Sequence, residues 1–204
     1  MCQKQIMARC VLPDGLISPE ATMQPTFLRR IFGAAMLDPL TYEEVEADSS
    51  ATPQALAVVV FASLAAAIGA RGLSDAPATL SFFATSGVIA LLAWATWALV
   101  TFEIGARILP TADTHVDPGE LLRTLGFAAS PLLLQVLAVM PGARIPVFTV
   151  VTIWAIAASV VAVKQALDYT STWRALAVSG LGIVLALAVA FVLGLAFGPT
   201  LAAR

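Results

Sequence analysis

Charge is what this sequence has least of. Only 12% of its 204 residues are Asp, Glu, Lys or Arg, against 59% hydrophobic, and the mean hydropathy is +0.90. Soluble domains carry roughly 25% charged residues, so a globule of this size would have about half the usual polar coat. A soluble enzyme, a disordered chain and a nucleic-acid binder are excluded together. The net charge is −2, and the scattered basic residues form no phosphate-tracking stripe. Cysteine occurs twice, as Cys2 and Cys10 near the N-terminus, too sparsely for a disulfide framework or a zinc site. No apolar run of signal-peptide length lies in the first 22 residues.

What is present is long apolar sequence. Crossing ~30 Å of hydrocarbon takes roughly 20 apolar residues in a helix. Five such runs occur, at about 54–70, 78–102, 122–140, 145–163 and 175–197. They are solid runs and not the alternating segments of a barrel, so helices are the form expected. The fold predicted is all-α, a bundle of five transmembrane helices preceded by short interfacial helices. Residues 1–22 read as a non-structural extension ahead of Met23, 23–53 as a cytoplasmic or interfacial segment, 54–198 as the transmembrane domain and 199–204 as an external tail. Arg29, Arg30, Arg107, Arg123, Lys164 and Arg174 then share one side, and Arg71, Arg144 and Arg204 the other. That excess predicts a cytoplasmic N-terminus and an external C-terminus.

Ahead of the first span, Phe27, Leu28, Ile31, Phe32 and Ala35 recur at helical spacing beside Arg29 and Arg30. This pattern fits a short helix lying in the headgroup plane. Asp38-Pro39 should end it. Thr41-Tyr-Glu-Glu44 has the form of a capping box, which predicts a second helix from Thr41, with Glu43, Glu44, Glu46 and Asp48 on an acidic face.

Opposite charges recur near span ends: Glu103 with Arg107, Glu120 with Arg123, and Lys164 with Asp168. Their spacings of three or four place each pair on one helix face. Two readings stay open, ordinary interfacial ion pairs or a polar cytoplasmic belt to which an unidentified protein partner docks. Within the third run stand Pro131 and Gln135. The proline should bend the helix, and the amide either bonds a neighbouring helix or lines a substrate path. Ala186, Ala190, Gly194 and Gly198 form a small-residue stripe on the fifth run, suited to close helix packing, with self-association as the second reading. Ala62 and Ala66 on the first span offer a matching smooth face. Tyr169 and Trp173 fit an aromatic belt, while Trp94, Trp97 and Trp154 lie deeper and read as packing groups.

Catalytic chemistry is missing. His115, the sole histidine, stands between Asp113 and Asp117, too few ligands for a metal site. Ala84-Thr85-Ser86-Gly87 offers a serine, but no span holds a histidine to activate it. No pair of aspartates lies within the spans, and no Gly-rich phosphate loop occurs. Neither an enzymatic activity nor a cofactor is expected.

Three segments carry a resemblance: Leu37-Asp-Pro-Leu-Thr-Tyr-Glu-Glu-Val-Glu-Ala-Asp48, Gly119-Glu-Leu-Leu-Arg-Thr-Leu-Gly-Phe-Ala-Ala-Ser-Pro131 and Val163-Lys-Gln-Ala-Leu-Asp-Tyr-Thr-Ser-Thr-Trp173. With the five runs, they make residues 23–198 resemble the bacterial branch of the Yip domain family, five-span membrane proteins that in eukaryotes interact with Rab GTPases. The resemblance implies a multi-pass inner-membrane protein without catalytic residues. Rab partners do not carry over. The expected role is membrane-organising or partner-binding, among membrane lipids. The alternative is a small channel, transporter or lipid-handling protein using the third span.

Overall fold

The computed structural model describes residues 27–71, 80–109, 117–185 and 188. Among these there is no strand. Two short helices, α1 (Phe27–Ala35) and α2 (Pro39–Ala47), lead through a 3₁₀ turn at Ser49–Ala51 into α3 (Thr52–Arg71). Then follow α4 (Leu80–Phe102), extended by a π-helical segment Glu103–Ile108, and α5 (Pro118–Ala128), extended by a 3₁₀ segment Ser130–Val139. The described part closes with α6 (Arg144–Ala166) and an apolar helix α7 (Thr172–Leu185). Four of these stretches are long and apolar enough to cross a membrane: Ser49–Arg71, Gly87–Ile108, Pro118–Val139 and Arg144–Ala166. The described part of the fifth run is the shorter α7.

The turn between α1 and α2 follows from backbone bonding. Asp38 N–H reaches the Gly33 carbonyl at 3.0 Å and Leu37 N–H the Ala34 carbonyl at 3.1 Å, the paired closure of a Schellman motif, with Leu37 in the left-handed region at φ 60°. The second helix starts at Pro39, not Thr41. Asp38 is its N-cap, accepting from Leu40 N–H at 3.2 Å, and proline suits a first turn whose N–H groups lack helical partners. The expected Thr41–Glu44 box is replaced because Thr41 donates to Asp38 at 2.7 Å and Glu44 is taken by arginines of α1.

The third span is not one bent α-helix. Pro131 lacks the N–H that would bond the Phe127 carbonyl four residues back, and Ser130 Oγ donates to that carbonyl instead, at 2.6 Å. Beyond it the chain winds as a ten-residue 3₁₀ helix. At a rise of ~2.0 Å per residue it covers about 20 Å, where an α-helix would cover about 15 Å. A 3₁₀ helix eclipses every third side chain, so Leu132, Gln135 and Ala138 form one row while Leu134, Leu137 and Met140 form an exposed one.

The tightest interhelical fit lies along this segment. A Cβ placed on Gly69 of α3 would stand 2.1 Å from the Gln135 carbonyl oxygen. Gly126 of α5 meets Ala55 of α3 in the same way, at 2.7 Å. The core beneath α2 gathers Tyr42, Val45, Leu121, Leu125, Phe127, Val163 and Leu167, all fully buried.

Candidate functional site

Two regions carry the polar groups singled out by the sequence. The first is the end of the bundle where α2 sits. Arg30 is 4% exposed although it lies on a short surface helix. Its Nε donates to Glu44 at 2.9 Å, Nη1 to Gln54 at 3.0 Å and Nη2 to Asp48 at 2.6 Å. One guanidinium thus joins α1, α2, the 3₁₀ turn and α3. Burial disfavours the Arg30 charge, but its bonds to Asp48 and Glu44 prevail and raise its pKa. Asp48 caps the 3₁₀ turn through Ser50, and that bond, with the one from Arg30, holds its carboxyl below the usual aspartate range.

The inward face of α1 holds Arg30 beside Ala34, with Phe27 and Ile31 packed against the core, and a second apolar row is left facing outward. In that row Leu28, Phe32, Met36 and the following Leu40 are 63%, 64%, 70% and 72% exposed. Water would penalise that arrangement by roughly 25 cal/mol per Å² of apolar surface. Both ends of α1 are anchored. The Phe27 ring meets Phe127 edge to face at 6.4 Å, and the Trp154 indole of α6 donates to the Ala35 carbonyl at 2.8 Å. Trp154 therefore does more than pack, because it satisfies a carbonyl left over at a helix end.

The expected pairs meet different fates. Glu103 and Arg107 pair at 3.1 Å, both exposed. Glu120 instead closes a capping box on α5, accepting from Asp117 N–H at 2.8 Å while Asp117 accepts from Gly119 N–H at 3.0 Å. Arg123, 8% exposed, donates to the carbonyls of Val45 at 3.2 Å and Glu46 at 2.5 Å. It is a cationic C-terminal cap for α2, where the helix dipole favours positive charge. No ion pair joins Lys164 to Asp168 among the described residues. Asp168 occupies the left-handed position at φ 51°, and Tyr169 N–H bonds back to the Lys164 carbonyl at 2.9 Å to end α6. Gln165 donates to Glu43 at 2.9 Å. The Tyr169 hydroxyl lies 3.0 Å from both the Gly105 and Leu109 carbonyls, donating to one at a time. An Asp117-x-x-Glu120 box ahead of α5 was the sequence signal for the role of Glu120. None marked Arg30 as buried.

The second region is a cavity of about 440 Å³ between α3, α4, α5 with its 3₁₀ segment, and α6, with Ile183 of α7 at its edge. Gln135, 6% exposed, lines it. Pro131 is fully buried and sets the row in which Gln135 stands, but does not itself line the cavity. Ala62 and Ala66 face the cavity as well. The stripe Ala186, Ala190, Gly194 and Gly198 lies outside the described residues, as do His115 and both cysteines. No cluster of His, Cys, Asp and Glu able to hold a metal occurs among the described residues. Compared with protein-family models, with curated proteins and with solved structures, the chain finds no match.

Proposed function

We propose that this is a non-enzymatic, membrane-organising protein of the Yip domain type, in which α1 lies in one leaflet as an apolar wedge braced on a helical bundle. The reading rests on one observation above all: α1 buries Arg30, one of its two arginines, while Leu28 and Phe32 on α1 and Met36 just after it are exposed. Such a helix is stable only where lipid covers the outward row. Rigid bracing by Arg30 and Trp154 lets α1 displace headgroups on one side of the bilayer without folding back.

The membrane of residence in this reading is a bacterial inner membrane, crossed five times. Support for the fifth crossing is that α7 is apolar as far as Leu185 and that the apolar run continues to 197 in the sequence. Arg29, Arg30, Arg107, Arg123, Lys164 and Arg174 gather toward the α2 end, against Arg71 and Arg144 at the other. By the positive-inside rule the α2 end is cytoplasmic. Docking of a protein partner there is less well supported, since Glu43, Glu44, Asp48, Arg123 and Glu120 are committed to bonds within the chain.

Reconstitution tests the reading. The protein is inserted into phosphatidylglycerol–phosphatidylcholine vesicles of uniform size, and diameters are measured by cryo-electron microscopy as protein density rises. Diameters fall with wild type, and they stay unchanged with a folded Phe32→Ser, Met36→Ser variant. Unchanged diameters with wild type contradict the proposal.

A further inference from the structure

The cavity sits where a soluble protein would be solid. Ala62 and Ala93 line it from near the midpoints of α3 and α4, so it lies within the hydrocarbon if these helices cross the membrane. Its volume of about 440 Å³ falls within the range of small-molecule sites, roughly 300–1,000 Å³. No charged side chain is among its lining residues.

The hydroxyls of Ser63 and Ser159 are bonded within their own helices, donating to the Val60 carbonyl at 2.7 Å and the Ile156 carbonyl at 2.8 Å, and Thr152 lies at the exposed rim. Gln135 is different. It is more than nine-tenths buried, it lines the cavity, and its side chain bonds to no described residue. The indole rings of Trp94 and Trp97 form part of the opposite wall. Their N–H groups, without an acceptor among the described residues, are closed off from the cavity, that of Trp97 standing toward Gly182 of α7. Buried amide and N–H groups of this kind are costly to leave unsatisfied, more so in hydrocarbon, where water cannot reach them. A side chain kept polar at that depth calls for a polar partner.

We propose that this cavity is a binding site for one neutral lipid bearing a carbonyl oxygen, its chain lying along the alanine-rich walls and its carbonyl accepting from the Gln135 amide. A charged headgroup is excluded because nothing in the lining would neutralise it. A plain hydrocarbon would fill the space but leave the Gln135 amide unsatisfied. The 3₁₀ winding after Pro131 is what turns Gln135 inward in register with Leu132 and Ala138. The site is separate from α1 and stands or falls independently of the wedge.

The probe is methyl 9,10-dibromostearate, a neutral ester whose bromines quench tryptophan on contact, titrated into the protein in lipid nanodiscs. A dibromoalkane of equal length, lacking the carbonyl, is the comparison. Expected is saturable quenching by the ester at an apparent affinity about three- to tenfold above that of the alkane, the worth of one hydrogen bond. Gln135→Leu brings the ester down to the alkane, and Ala66→Leu, which fills the cavity, removes saturation for both. Gln135→Met is a second test of the amide should the leucine variant lose its thermal transition. Saturation with equal affinity for ester and alkane overturns the carbonyl contact. Quenching that never saturates, or that Ala66→Leu leaves unchanged, overturns the site.

Discussion

Arg30 Nη2 donates to Asp48 at 2.6 Å, joining a buried cation on the first helix to the carboxylate that caps the turn into α3. The pairing explains why a nine-residue helix, too short to persist alone in water, keeps a fixed place on the bundle. Removing the guanidinium leaves Glu44 with Arg29 and Asp48 with Ser50, but it severs α1 from the turn and from Gln54. The cost lies below the ~3–5 kcal/mol of a fully buried pair, because both carboxylates are partly exposed. Arg30→Met is therefore expected to lower the thermal transition in detergent and to open α1–α2 to proteolysis. Arg30→Lys rescues little, since an ammonium cannot reproduce the fork. Arg29, whose side chain is 61% exposed in its pair with Glu44, tolerates alanine within about 1 kcal/mol.

The same contact sets a pH dependence. Asp48 has its carboxyl held below the usual range by Ser50 and Arg30. A lowered folded-state pKa means that the stabilisation is present above the ordinary aspartate pKa and lost as pH falls through the depressed value. Acid should loosen α1 in that window. Trp154, bonded to Ala35, reports it through a shift in fluorescence emission. Asp48→Asn should show the shifted emission already at neutral pH and no further change on acidification.

Asp168 separates a structural role from an ionic one. In the left-handed region it carries a strain of roughly 1 kcal/mol that glycine does not, and its side chain is exposed. Asp168→Gly is expected to leave stability unchanged or raise it by up to about 1 kcal/mol, while Asp168→Val lowers it. If an ion pair with Lys164 mattered, Asp168→Gly and Lys164→Ala would both weaken the fold.

Gly69 is predicted to be intolerant. An alanine Cβ there meets the Gln135 carbonyl, so Gly69→Ala must push α3 off the 3₁₀ segment, at a cost of about 1–3 kcal/mol. Gly180 of α7 has nothing within 4 Å of such a Cβ among the described residues. Gly180→Ala should be neutral or slightly stabilising through helix propensity. Thermal unfolding of the two variants side by side checks the contrast.

Long apolar runs were legible in the sequence because their signal is a sum over some twenty residues. Three of the four long spans begin and end within about five residues of their expected places, while the second, Gly87–Ile108, lies displaced toward the C-terminus of the expected 78–102. The helical spacing of α1 was legible too, but not its orientation. Of Phe27, Leu28, Ile31, Phe32 and Ala35, the structure turns Phe27 and Ile31 inward and Leu28 and Phe32 outward, and only the contacts of Arg30 show where the helix is anchored. Pairs at spacing three or four fared worst. Glu120, Arg123 and Asp168 each had a backbone task available, a cap or a chain reversal, and near helix ends unsatisfied N–H and C=O groups outbid a solvent-exposed ion pair. The 3₁₀ winding was invisible because proline predicts a disturbed helix without saying into which helix it resumes.

The account turns on what covers the outer face of α1, and nitroxide accessibility measures that directly. Spin labels are placed singly at Leu28→Cys, Phe32→Cys and Met36→Cys, with Glu43→Cys as an aqueous reference, in a Cys2→Ser, Cys10→Ser background reconstituted in vesicles. The account predicts that oxygen relaxes the three α1 labels far more than a water-soluble nickel chelate does, with the reverse order at position 43. Equal or greater relaxation by the nickel chelate at positions 28, 32 and 36 would contradict it, since α1 would then lie in water with no lipid to wedge.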